Sequence, residues 1–280
     1  MPAAEHTSWD PHSRGASIDF DAPNQARLFD ALLGGRDNYV ADREVVDQLA
    51  DLAPGVGQMV RDHREWVGRV LRLLVTQCGV DQFLDLGSGL PGLDNTHQIV
   101  QRNNPEAKVC YIDNDPVVLA HGRALLEENE NTHMLEFDIT RPETVTTDPG
   151  LRRRVDFDRP MAVLLCAVTG HILDDDVVRQ TVRGWVKAIP SGSYVVVSQQ
   201  FDPADGSVHS ELARTLHKAF LGTAVATAFR ERGEIESYFE DLRMVEPGLV
   251  QLHKWWPDGP RLVPLSEWNH LMLGALARKP

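Results

Sequence analysis

The sequence has little cysteine, no long apolar run and too few bases to balance its acids, and each shortage removes a class of function. Its three cysteines, Cys78, Cys110 and Cys166, are far apart and each sits in an apolar context. No Cys-x-x-Cys pair exists, so neither a disulfide framework nor a metal site is expected. The longest apolar stretch, Met161 to Val168, is strand-sized and runs into His171 and an Asp triplet. A membrane helix needs roughly 20 apolar residues, so no membrane partner is expected. Met1 to Asp21 is polar and lacks the apolar core of a signal peptide, which makes the cytoplasm the expected compartment. Lys and Arg total 28 against 41 Asp and Glu, a net charge of −13. Nucleic-acid binding needs a cationic footprint, so no such partner is expected.

What remains is an ordinary globular composition, 42% hydrophobic and 25% charged over 280 residues. That suffices for one large α/β domain with modest additions. Residues 1–22 read as a loose arm and 23–79 as a helical cap or lid. The cap holds helices at Asn24–Leu33, Asp42–Leu52 and Gly57–Cys78. Gly34-Gly35 ends the first helix, and Pro54-Gly55 ends the second. On the third, Arg64 falls inside the apolar stripe formed by Val60, Val67, Leu71 and Leu74, and a cation there needs a partner.

From residue 80 to the end, strand and helix alternate. The expected strands are Gln82–Leu86, Lys108–Ile112, Thr132–Phe137, Met161–Cys166 and Tyr194–Ser198. Helices are expected at Leu93–Asn103, Pro116–Glu128, Pro142–Arg154, Asp174–Ala188 and Val208–Phe220. This rhythm gives βαβ units and a parallel sheet covered on both faces. A further helix at Ile235–Asp241 precedes two late strand-like runs, Leu249–Trp255 and Met272–Ala277, which fit an antiparallel hairpin at one sheet edge. Phe201–Tyr238, with His209, His217, Phe220 and Phe229, is an excursion of the kind that walls a ligand pocket, although core packing is the plainer role for most of it.

Gln82–Leu86 leads into Gly87-x-Gly89-x-x-Gly92 and then a helix. Glycines there let a ligand approach the backbone and turn the chain tightly. The same string fits a dinucleotide fingerprint. Asp85 stands two residues before Gly87, where a carboxylate can face a cationic amino-acid tail. Asp113 closes the next strand, where its oxygens suit ribose hydroxyls, and Asp138 closes the third, beside Ile139, where it suits an adenine amine. Asp113 alone would suit NAD equally, but Asp85 and Asp138 are not typical of NAD enzymes, so the three acids favour S-adenosylmethionine; open α/β sheets bind ligands along that edge.

Phe83-Leu-Asp-Leu-Gly-Ser-Gly-Leu-Pro and Tyr111-Ile-Asp-Asn-Asp-Pro-Val-Val-Leu-Ala-His121 resemble an actinobacterial S-adenosyl methyltransferase family once catalogued as a domain of unknown function. So do Ala31-Leu-Leu-Gly-Gly-Arg-Asp-Asn-Tyr39 and Arg159-Pro-Met-Ala-Val-Leu-Leu165. The likeness spans Asn24 to Pro280. It implies a Rossmann-like class I methyltransferase fold, with a seven-stranded, mostly parallel sheet and extra N-terminal helices. It implies cofactor contacts at Gly87, Ser88, Gly89, Asp113, Asn114, Asp138 and Ile139, and S-adenosylhomocysteine as product. Thr169-Gly170-His171 departs from the bulkier apolar residues usual after the fourth strand.

Methyl transfer asks the protein mainly to align a nucleophile and exclude water. His171, just past the fourth strand, is the candidate base, the alternative being a structural histidine. Asp174-Asp175-Asp176 reads as a helix N-terminal charge cluster. The turn Gly34 to Tyr39 is the candidate lid, with Asp37 and Asn38 as acceptors and Tyr39 as an aromatic wall. Arg64 is expected to meet either the methionyl carboxylate or a protein carboxylate, Asp37 or Asp85. The expected reaction is methylation of a small molecule. A nicotinamide oxidoreductase and a non-catalytic cofactor-binding regulator are the alternatives.

Overall fold

The computed structural model describes residues 19–92 and 94–280, so most of the expected N-terminal arm lies outside the described residues. Three helices come first: α1 (Gln25–Leu33), α2 (Val40–Leu52) and α3 (Val56–Thr76). Asn24 caps α1 by accepting from the Arg27 amide, and Gly34 ends it at φ +79°, a left-handed conformation that favours glycine.

Five parallel strands follow in alternation with helices. They are β1 (Gln82–Leu86), β2 (Lys108–Asp113), β3 (Thr132–Glu136), β4 (Ala162–Cys166) and β5 (Tyr194–Gln200). The intervening helices are α4 (Thr96–Gln101), α5 (Pro116–Leu125), α6 (Pro142–Thr147), α7 (Pro149–Arg152) and α8 (Asp175–Ala188). The single helix expected over Pro142–Arg154 is two, because Asp148 stops α6 in extended conformation and caps α7. Then come α9 (Val208–Phe220), α10 (Arg232–Glu236), β6 (Arg243–Met244), β7 (Val250–Gln251) and β8 (Met272–Arg278).

The sheet runs β3-β2-β1-β4-β5-β8-β6, with β7 also paired to β8, and β8 is antiparallel to β5, β6 and β7. It therefore has eight strands rather than seven. The late hairpin is real but reduced. β7 stops at Gln251, and the chain coils so that Leu252 and Trp255 enter the core instead of extending a strand. β6 carries no sequence signal, because its two residues are exposed and show no alternation.

The period-two geometry of a strand sends alternate residues to opposite faces. Phe83, Val109, Tyr111, Leu164 and Val196 join one core, while Leu84, Ile112, Val163, Leu165 and Val197 join the other. The first core also contains Leu28, Leu49, Met59, Trp66 and Leu74, so the N-terminal helices share a core with one face of the sheet. That packing holds α1 and α3 over the carboxyl ends of β1, β2 and β4. Among the described residues, no helix is long and apolar enough to cross a membrane.

Candidate active site

A cavity of about 1060 Å³ lies where those strand ends meet α1 and α3. Its floor is the turn after β1. Gly87 and Gly89 have φ of +64° and +68°, which a side chain rarely adopts. The Gly87 amide donates to the Ile112 carbonyl at 2.7 Å, fixing the turn to β2. A Cβ at Gly87 would strike Val168, but one at Gly89 would meet nothing within 4 Å. The Gly89 backbone is thus open to a ligand.

Polar groups converge on this floor. Ser88 Oγ is buried without a hydrogen-bond partner, a cost that a ligand can relieve. Asp113 Oδ2 accepts from the Gly89 amide at 3.0 Å, and Oδ1 accepts from Asn114 and Asp115 at 2.9 and 3.0 Å. A carboxylate has about four acceptor sites, so one remains on Oδ2. Burial pushes the Asp113 carboxyl up, against the pull of those three amides. Asp85 accepts from Thr96 Oγ1 at 2.6 Å. Burial raises its pKa too, while the Thr96 bond and the Arg64 charge oppose the shift.

Arg64 forms neither of the protein ion pairs considered for it. Among the described residues it has no salt bridge and no side-chain hydrogen bond. Its Nη2 stands 2.7 Å from where a Gly92 Cβ would be, so the guanidinium lies directly against the glycine turn. Asn114 and Ile139 also face the cavity. Asp138 does not: its Oδ1 accepts from the Thr140 amide and hydroxyl, and its Oδ2 lies 3.6 Å from Arg141 Nε. The acid at the end of the third strand organises its own turn.

The expected lid divides likewise. Gly34, Gly35 and Asp37 face the cavity, and Asp37 Oδ2 lies 3.5 Å from His121 Nδ1. Asn38 and Tyr39 do not border it. Asn38 braces the turn by donating to Asp30 Oδ2 at 2.8 Å, and Tyr39 packs edge-on against Phe20 with Arg27 over its ring. The organiser of the turn is Asp30, which also accepts from the Asp37 amide at 2.8 Å. Nothing in the spacing of the sequence marked it.

Also on the cavity wall, His171 ends a short 3₁₀ turn after β4 and is half-buried. Desolvation pushes its imidazole down to about 4, so it is neutral at physiological pH. Gln25 Nε2 lies 2.7 Å from the ring nitrogens, and Phe29 meets the ring edge-on at 6.4 Å. His63, also on the cavity wall, pairs with Ser198 Oγ at 2.8 Å and is pushed down to about 3, by burial and then by the Arg64 charge. Gln25, His63 and Thr96 were missed because helix periodicity identifies faces, not contacts across the fold. Asp115 was missed for the same reason. It caps α5 and accepts from Asn24 Nδ2, tying α1 to the end of β2. Among the described residues, no cluster of histidine, cysteine or acid side chains is arranged to hold a metal.

The sequence profile of the S-adenosyl methyltransferase family matches residues 11–280. The chain belongs to that family. It is accordingly a methyltransferase that uses S-adenosylmethionine, which replaces the nicotinamide reading. A candidate methyltransferase from Thermobifida fusca YX is 39% identical, with 93% of this chain and 96% of that one covered, and superposes with a TM-score of 0.84. A DUF574 family protein from Streptomyces avermitilis MA-4680 is 34% identical over 94% of this chain and 100% of that one, with a TM-score of 0.86. No curated protein matches the chain. The methyltransferase fold and cofactor are thereby established.

Proposed function

We propose that this methyltransferase alkylates a small-molecule acceptor held between the glycine turn and His171. The observation that supports it most is the cavity itself. It offers an open Gly89 backbone, an orphaned Ser88 hydroxyl and an Arg64 that has no ion pair among the described residues. His171 adds a neutral imidazole to the same cavity. The net charge of −13 fits a small molecule better than a nucleic acid.

These residues fit S-adenosylmethionine. Arg64 would hold the methionyl carboxylate, Asp85 would face the ammonium, and the free site on Asp113 would accept a ribose hydroxyl. Asn114 and Asp37 lie where they would border the ribose side, and Ile139 would pack on the adenine. When bound, the cofactor supplies a methyl group already activated by a sulfonium. The chain then has to align the acceptor and exclude water, and the wall of Gln25, Phe29 and His171 does both.

His171 is too weak a base to strip a hydroxyl beforehand. It is suited to taking the proton as the acceptor heteroatom acquires positive charge, when that proton is strongly acidic. Gln25 fixes the ring for this role. Calorimetric titration with S-adenosylhomocysteine tests the cofactor side, and incubation with methyl-labelled cofactor and a whole-cell extract, later fractionated into small molecules, protein and nucleic acid, tests the acceptor side. Label found only in protein or nucleic acid would refute a small-molecule acceptor.

A further inference from the structure

A second, smaller cavity of about 70 Å³ opens between α1, α3 and α9, and the Gln25 and Phe29 side chains form a wall common to both cavities. Its surroundings are almost wholly apolar: Leu32, Leu49, Met59, Leu216 and Phe220 are typical. Among the described residues, no charged side chain borders it. The polar side chains on it gather at the end towards His171. Gln25 lies 2.7 Å from that ring, and Thr227 Oγ1 lies 3.4 Å from its Nδ1. Gln200 rests against Gly170, the residue before His171, and beside Thr227.

Two of these groups are unsatisfied. Gln200 is only 8% exposed, and its Oε1 has no hydrogen-bond partner. Gln25 Oε1 is buried and unpartnered as well. A buried amide oxygen left without a donor is costly, and native proteins rarely retain one without a use. Two such oxygens beside one neutral imidazole form a polar collar at the mouth of an apolar pit.

We infer that this collar and pit are the acceptor-recognition subsite, and that the methyl acceptor is an uncharged amphipathic molecule. This rests on the methyltransferase reading and narrows it. The hydroxyl or N–H group to be methylated stands at His171, where Gln25 and Gln200 accept hydrogen bonds from it or from a neighbouring donor. A compact apolar group enters the pit. The volume limits that group: an apolar cavity of about 150 Å³ takes benzene. The pit is about half of that, which suits three or four carbons. Ionised acceptors are rejected, because neither a carboxylate nor an ammonium finds a counter-charge in the pit or its collar. Methylation here forms a bond from the acceptor heteroatom to the transferred carbon as the carbon–sulfur bond breaks, and the heteroatom's proton passes to His171.

The test uses the full chain saturated with S-adenosylhomocysteine, with linear primary alcohols from ethanol to hexanol as probes in ligand-observed NMR titrations. Affinity should rise roughly fourfold per methylene through butanol and then level off as the pit fills. Butyrate and butylammonium should bind at least tenfold more weakly than butanol. Gln200→Leu should weaken butanol at least fivefold while leaving the S-adenosylhomocysteine affinity unchanged. A flat chain-length series, or butyrate binding as well as butanol, would overturn the proposal. So would a folded Gln200→Leu protein with unaltered butanol affinity. If that variant does not fold, the length and charge series on the unaltered protein decide alone. Cofactor-product binding without any alcohol binding removes this subsite and keeps the methyltransferase reading. Alcohol binding without cofactor-product binding does the reverse.

Discussion

A methyl group added at Gly89 would meet no protein atom, yet the backbone there sits at φ +68°. The two facts separate stability from binding. Gly89→Ala should lower stability by only about 1–2 kcal/mol, the cost of a left-handed alanine, read from a denaturant titration. Its loss of S-adenosylhomocysteine affinity should be much larger, because the methyl occupies the space into which the ligand must come. Equal affinity in a folded variant would place the cofactor elsewhere. Asp113 poses a different question, since three backbone amides already use its carboxylate. Asp113→Ala should weaken cofactor-product binding by about 1–3 kcal/mol in calorimetry, through the lost charge-assisted bond and a loosened Gly89. Asp113→Asn should be nearly as harmful, because an amide has one acceptor oxygen where the turn needs acceptors on both sides. At this scale the sequence revealed the acids but not what they face. Asp85, Asp113 and Asp138 stand at or just past the carboxyl ends of three strands, and only packing decides that the third turns to Thr140 and Arg141 while the other two border the cavity.

The elements were easier to read than their partners. Strands with apolar runs, such as Met161–Cys166, and helices with a turn residue at each end, such as α1 with Asn24 and Gly34, carry local signals for both type and extent. β6 has no such signal, and β7 is cut short because a tryptophan and a leucine find burial by leaving the strand. What no local pattern encodes is the joint between elements. Asn24 uses its oxygen to cap α1 and its amide to reach Asp115, the cap of α5, so a single side chain locks the N-terminal helices onto the cofactor edge. Asn24→Ala should lower stability by about 0.5–2 kcal/mol, the usual cost of a lost cap. It should also weaken cofactor-product binding, which Asn24→Ser should not fully restore, because serine can cap α1 but cannot span to Asp115. If serine recovers both stability and binding, the cap alone matters and the link across the fold has no functional weight.

Over the whole molecule, burial of neutral histidines makes stability depend on acid. His63 and His171 hold their native pKa values near 3 and 4, below the ordinary 6.5, in each case chiefly through desolvation. Between those values and 6.5 the unfolded chain binds protons that the folded chain refuses, so stability is fully present above about pH 6.5 and is lost as the pH falls towards 4. Asp85 and Asp113 act in the opposite sense: their raised pKa values let the folded chain take up protons before the unfolded chain does. The net slope therefore mixes both kinds of group, and a single replacement is needed to isolate one. His63→Gln removes one titrating group and keeps a hydrogen-bonding partner for Ser198. Unfolding free energies from urea titrations at pH 7 and pH 5 should fall further for the unaltered protein than for this variant. The difference should be about 2 kcal/mol, the proton linkage of one buried histidine over that interval. Equal losses in the two proteins would mean that His63 takes its proton in the folded state, with Ser198 or a rearranged Arg64 accommodating the charge.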